Sequence, residues 1–221
     1  MGIAKLSFNK NPHIGLFFRA NEELVLVPKN IHEKILPQLT EALQAELLPI
    51  YFCQSPILGI FSALNSNGCI VSALAEKHEV KPLKDRGLNV QFLNEQFAPG
   101  NNILVNDKAA LVNPRMPKAD IKKVSDCLGV EVFRHPIANL QTVGSNNVVT
   151  NGGLFAYSHI SDVEMRMLEK IFGVRGVKGT VNTGSTANSY GVVANSKGAI
   201  IGEATSGSET QKVYEALFGG P

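Results

Sequence analysis

Three cysteines and five histidines are the side chains of this sequence best suited to covalent or metal chemistry. Nucleophilic catalysis by Cys53, Cys69 or Cys127 would require a thiolate stabilised by a nearby base or cation. The three lie in PIYFCQ, GCIVSA and VSDCLG, apolar or amphipathic runs of the kind that bury structural thiols. They form no CxxC and cannot all pair, so a reducing interior, the cytoplasm, is expected. His13, His32, His78, His135 and His159 are scattered singly, without HxxxH or HExxH spacing, and no metal or cofactor is expected. The segment GTVNTGST (179–186) has GxxxxG spacing, but Ser185 stands where a phosphate loop requires Lys. It reads as a turn-rich link or a polar lining. Lys118, Lys122, Lys123 and Arg134 beside His135 form either a solvated face or a minor RNA phosphate contact, which would show as salt-sensitive binding.

The elements that position these residues are set by a repeat. Asn21, Asn65, Asn106, Asn151 and Asn195 each end an apolar run, at intervals of 44, 41, 45 and 44 residues. Such a period marks one supersecondary unit copied along the chain. The copies are IGLFFRANEELVLVP, LGIFSALNSNGCIVSAL, GNNILVNDKAALVNP, SNNVVTNGGLFAYSH and SYGVVANSKGAIIGEA. Each reads as strand, tight turn, strand, with Asn tolerating left-handed backbone and capping its own turn. A net charge of +2 gives no reason to expect affinity carried mainly by phosphate, and no DNA partner is expected. No stretch approaches the apolar length of a membrane span, and the N-terminus lacks a signal peptide's core.

Helix signals follow each second strand. Ser161 with Glu164, and Ser208 with Gln211, read as capping boxes, with stops at Gly173 and Gly219. Asn30 and Glu33 open another helix. Pro117 starts one that Gly129 ends, and Pro82 shortens the one in the second unit. Short strands LLPIYFC, LNVQFL, VEVFRH and VRGVKG come next, so the unit is β-β-α-β with a parallel crossover. The fifth unit lacks its last strand, and AKLSFN (4–9) has no unit of its own. A single domain is expected, of α+β class. Its units span 10–54, 55–97, 98–141, 142–184 and 185–221, closed into a ring by strand 4–9, with sheets toward the axis and helices outside. Closure removes the exposed edges of an open array.

Such fivefold rings are the pentein, or α/β-propeller, architecture, and within it the chain resembles the translation initiation factor 6 family. The resemblance rests on NPHIGLFF, GNNILVNDKAALVNP (100–114), VEVFRHPIANLQTVGSNNVVTNGGL (130–154) and KGTVNTGSTANSYGVVANSKGA (178–199), and it runs end to end. The sequence ends at Pro221 without the tail of eukaryotic relatives, so the resemblance is to the archaeal type. It implies a non-enzymatic factor that binds the large ribosomal subunit, on a ribosomal protein next to the sarcin–ricin loop. Binding there would keep the small subunit from joining. It also implies release by a GTPase and a companion protein. Other penteins are guanidine-modifying hydrolases with a cysteine in the last unit. Residues 185–221 contain none. The alternatives are such a hydrolase, or a scaffold for some other protein.

Equivalent positions in a ring lie at equal height. Counting back six residues from each asparagine gives Gly15, Gly59, Gly100, Ser145 and Ser189, all small. Counting back five gives Leu16, Ile60, Asn101, Asn146 and Tyr190, a mixed apolar, amide and aromatic set suited to a protein partner. The resemblance implies a ribosome-facing surface that includes Ile60, Asn101, Asn146 and Tyr190, with Phe218 to Pro221 as additions. Ile60 and Asn146 depart from the longer basic or aromatic side chains that relatives carry there.

Overall fold

The computed structural model describes residues 2–219. Among them are fifteen strands in five three-stranded sheets. The first sheet contains β2 (Arg19–Ala20), β3 (Leu24–Pro28) and β4 (Glu46–Ile50), and the second contains β5 (Ser62–Leu64), β6 (Gly68–Ser72) and β7 (Asn89–Leu93). Next come β8 (Ile103–Val105), β9 (Ala109–Val112) and β10 (Glu131–Arg134), then β11 (Val148–Val149), β12 (Leu154–Tyr157) and β13 (Gly176–Gly179). In all four the first strand is antiparallel to the second and the third is parallel to it. The fifth sheet pairs β14 (Val192–Ala194) with β15 (Gly198–Gly202), and its parallel third strand is β1 (Gly2–Leu6), from the other end of the chain. The closing strand therefore sits two residues earlier than AKLSFN suggests, because Phe8 and Asn11 already pair across a turn in which Asn9 and Lys10 have positive φ. The expected pentein ring of β-β-α-β units is what forms.

One helix follows each hairpin: α1 (Leu36–Leu43), α2 (Lys81–Lys84), α3 (Lys118–Leu128), α4 (Asp162–Phe172) and α5 (Gly207–Phe218). Pro82 leaves α2 a single turn, and Pro117 N-caps α3, which ends at Gly129 in the left-handed region. Ser161 and Glu164 form the expected capping box. The box of α5 is Ser206 with Glu209, not Ser208 with Gln211, since Glu209 also reaches a neighbouring turn. Asn30 opens no helix. His32 caps a short 3₁₀ turn, Glu33–Ile35, and α1 follows it.

No unit has a core of its own. The apolar clusters lie between units: Leu26, Ile50 and Phe52 of the first pack with Leu58, Val71 and Leu83 of the second, and the ring closes with Phe18, Val27 and Leu39 of the first against Leu6, Val193 and Ile200 of the fifth sheet. A unit of about 40 residues is too small to enclose a core, so adjacent blades bury one another's surface. The strand residues Ala20, Val105, Val149 and Ala194 line a cavity on the axis, so the hairpins face inward.

Candidate functional site

The ring has two ends, and the hairpin turns form one of them. Asn65 shows how. Its Oδ1 accepts the backbone N–H groups of Asn67 (3.0 Å) and Gly68 (3.1 Å), while its Nδ2 donates to the carbonyls of Asn106 (3.3 Å) and Leu128 (2.9 Å) in the next unit. Asn106 repeats this toward Thr150 and Phe172, and Asn195 toward Asn21 and Leu43. Each of these amides therefore shapes its own turn, links to the next turn and satisfies a carbonyl at the C-terminus of a helix, groups that otherwise lack partners.

In the fourth unit the equivalent residue is Thr150, not Asn151. Its Oγ1 accepts from Gly152 (3.1 Å) and Gly153 (3.2 Å), and the strand register agrees, since Val149 faces Leu154 as Ala194 faces Ala199. Asn151 belongs one step further on, with Glu22, Ser66, Asp107 and Ser196. These five form a second, open chain of hydrogen bonds around this end. Asn151 Nδ2 donates to Glu22 Oε1 (3.0 Å) and Asp107 Oδ2 (2.6 Å), Ser66 donates to Asp107, and Ser196 donates to Glu22. These five side chains are bonded to one another.

The opposite end is built from short turns: Ile14–Leu16, Leu58–Phe61, Pro99–Asn102 and Asn188–Gly191, with residues 142–145 in the fourth unit. With the corrected register the small set becomes Gly15, Gly59, Gly100, Gly144 and Ser189. A Cβ on Gly15 would overlap the carbonyl of Ser189, one on Gly59 that of Gly15, one on Gly100 that of Gly59, and one on Gly144 that of Gly100. Ser189 N donates to Ser145 O at 3.1 Å and completes the circuit. Glycine is needed here because backbone meets backbone around the axis.

On this rim stand Leu16, Ile60, Asn101 and Tyr190, all half-buried. Tyr190 Oη donates to Asn101 Oδ1 across the mouth at 2.9 Å. Ser145 takes the fourth equivalent position and is buried, and half-buried Asn146 is its neighbour, accepting from Ser145 Oγ at 2.6 Å. Phe218 is elsewhere. Its helix runs back from the rim, and its last turn lies against Gly152 and Gly153 at the hairpin-turn end. Gly220 and Pro221, also expected at the face, lie outside the described residues.

Arg19 carries a signal that the repeat offered but the asparagine count passed over. Two residues before each turn residue stand Arg19, Ala63, Leu104, Val148 and Val193, so one unit has a cation where the others are apolar. Its Nη2 donates to Gly59 O (2.9 Å) and Gly100 O (3.2 Å), directly behind Ile60 and Asn101. Burial lowers its pKa to about 10, opposed by Tyr190, whose own pKa burial raises.

Behind the rim, carboxylates of the helix N-termini grip the preceding units. Glu209 accepts from Thr180 Oγ1, from the N–H groups of Thr183 and Gly184, and from its own cap. Glu79 holds Cys53 and Gln54 in the same way, and Glu164 holds Ala138. Several donors per carboxylate outweigh the opposing desolvation and lower all three pKa values, that of Glu209 to about 2.

The cysteines have the wrong surroundings for a nucleophile. Burial pushes the Cys53 and Cys69 thiols up and that of Cys127 to about 11, and Cys127 Sγ donates to the carbonyls of Cys69 and Asn89. Among the described residues no group of three His, Cys, Asp or Glu side chains is arranged to hold a metal ion. Lys122 pairs with Asp126 and Lys123 with Asp120, both at 2.9 Å within α3, which favours the solvated-face reading for these two. No helix among the described residues is long and apolar enough to cross a membrane.

The sequence pattern of the eIF-6 family matches residues 3–216. Translation initiation factor 6 of Pyrococcus abyssi is 36% identical over 224 aligned residues, covering 98% of this chain and 99% of the relative. The protein of the same name from Saccharolobus islandicus is 36% identical at the same coverage. That of Staphylothermus marinus is 34% identical, covering 100% of this chain and 99% of its own.

Proposed function

The chain belongs to the eIF-6 family, a non-catalytic one, and from that premise we propose that it binds the large ribosomal subunit through its glycine-ring end. The observation that carries this reading is the contrast between the two ends in a chain matched along its whole length. The hairpin-turn end is an acidic and amide network built on Glu22, Asp107 and Asn151, whereas the rim sets the apolar Leu16 and Ile60 beside the Tyr190–Asn101 pair and Asn146. Apolar, amide and tyrosine side chains on rigid turns suit a protein partner, with tyrosine the strongest anchor by type.

Docking by the rim on a ribosomal protein next to the sarcin–ricin loop would occupy part of the surface that meets the small subunit. The two subunits then become mutually exclusive by steric overlap, without substrate or cofactor. An interface of roughly 1,200–2,000 Å² suffices for such specificity. Any rRNA contact is minor, given a net charge of +2. Release falls to a GTPase and its companion protein, and the cytoplasm is the place of action.

The test is sedimentation of the purified protein with large subunits, followed by addition of small subunits. Co-sedimentation and a block to joining are expected. Unhindered joining at saturating protein would overturn the proposal, and capture of a non-ribosomal protein instead would favour the scaffold reading.

A further inference from the structure

The axial cavity beneath the rim has a volume of about 60 Å³ and is lined by Arg19 together with aliphatic strand residues such as Leu64, Val105 and Val149. Arg19 is the one charged residue in its wall. Its Nη2 is taken up by the two rim carbonyls, its Nε is buried and unpartnered, and no carboxylate among the described residues lies at ion-pair distance from it. Carbonyl dipoles satisfy two donor directions but carry no net charge. Arg19 is half-buried with its Nε fully shielded, so its charge is only partly solvated, and shielded charges in proteins are as a rule paired. The lowered pKa of Arg19 has the same cause.

We propose that the axial cavity binds one small monovalent anion, chloride in ordinary buffers, against the guanidinium of Arg19. The volume exceeds the roughly 10–15 Å³ that one water-sized occupant needs. The aliphatic wall offers no second cation and few donors, so a weakly hydrated monovalent ion fits. Phosphate or sulfate would keep an unneutralised charge and lose more hydration. The carboxylates of Glu22 and Asp107 at the hairpin-turn end of the axis add a further barrier to dianions. The anion site rests on Arg19 alone and is independent of any partner at the rim.

The full chain crystallised in sodium bromide tests this. An anomalous bromide peak is expected in the axial cavity, at hydrogen-bonding distance from an Arg19 guanidinium nitrogen. In parallel, thermal unfolding is compared in sodium chloride and sodium gluconate at equal ionic strength. The wild type should melt about 3 °C or more higher in chloride, with saturation, and Arg19→Met should show no such difference. Absence of the peak overturns the proposal. So does a peak accompanied by equal melting in both salts, which marks an adventitious ion only. An undiminished chloride effect in Arg19→Met also overturns it. Should that variant fail to fold, the bromide map and the wild-type salt comparison decide together.

Discussion

The two ends of the ring are made by the same strands, yet they treat polar groups in opposite ways. At the hairpin turns Asn21, Asn65, Asn106 and Asn195 spend their amides on neighbouring carbonyls, and Asn151 bridges Glu22 and Asp107. At the rim it is the backbone that meets itself, around Gly15, Gly59, Gly100 and Gly144, and half-buried Leu16 and Ile60 stand beside the Tyr190–Asn101 pair. One end is a clasp that holds five blades together. The other is a platform. Stability should therefore be concentrated in the first, and recognition in the second.

The largest effect is expected at the clasp. Asn65→Ala removes four hydrogen bonds and strands the Asn106 carbonyl, while that of Leu128 keeps Asn67 Nδ2, at a cost of roughly 4 kcal/mol, measured by denaturant unfolding. A change below about 1 kcal/mol would show that the turns hold without their amides.

Glu209→Gln should cost somewhat less. The carboxylate pKa falls from 4.5 to about 2 on folding, a difference worth on the order of 2 kcal/mol once solvent screening is allowed for. Because the folded value is the lower one, this stability is present above the unfolded value and lost as pH falls from 4.5 toward about 2. The melting temperatures of wild type and Glu209→Gln should differ at pH 7 and converge as pH falls below about 2, where both side chains become neutral. A constant gap across that range would contradict the assignment.

The rim gives a different readout. Tyr190→Glu or Asn101→Arg should weaken subunit binding by about 2 kcal/mol, while the melting temperature stays near wild type. Smallest of all, Asn151→Ala should cost about 1 kcal/mol of stability, by leaving Glu22 and Asp107 facing each other, with subunit affinity unchanged. Phe218→Ala should likewise leave affinity intact, because its side lies at the clasp.

Much of this was legible in the sequence. The spacing of the asparagines reveals five β-β-α-β units and the need for a closing strand. The displaced fourth marker has a chemical cause: Thr150 Oγ1 accepts the same two N–H groups as an asparagine Oδ1, so a hydroxyl does the turn's work and the adjacent Asn151 misleads. Phe218 was expected at the face from the resemblance, which says nothing of the direction of its helix. A helix crossing between parallel strands must run antiparallel to them, which carries its C-terminus back to the hairpin turns. Arg19 was visible as the one charged residue among five equivalent positions, but its bonds to Gly59 and Gly100 depend on blades far apart in sequence. The grip of Glu209 on Thr183 and Gly184 is non-local for the same reason.

The most direct measurement of the division between clasp and platform is the affinity of two variants, side by side, for purified large ribosomal subunits. Tyr190→Glu should fall by about thirtyfold, the equivalent of 2 kcal/mol, and Asn151→Ala should bind as the wild type does. Equal binding by Tyr190→Glu and the wild type, with loss in Asn151→Ala, would place the partner at the other end of the ring and contradict the account.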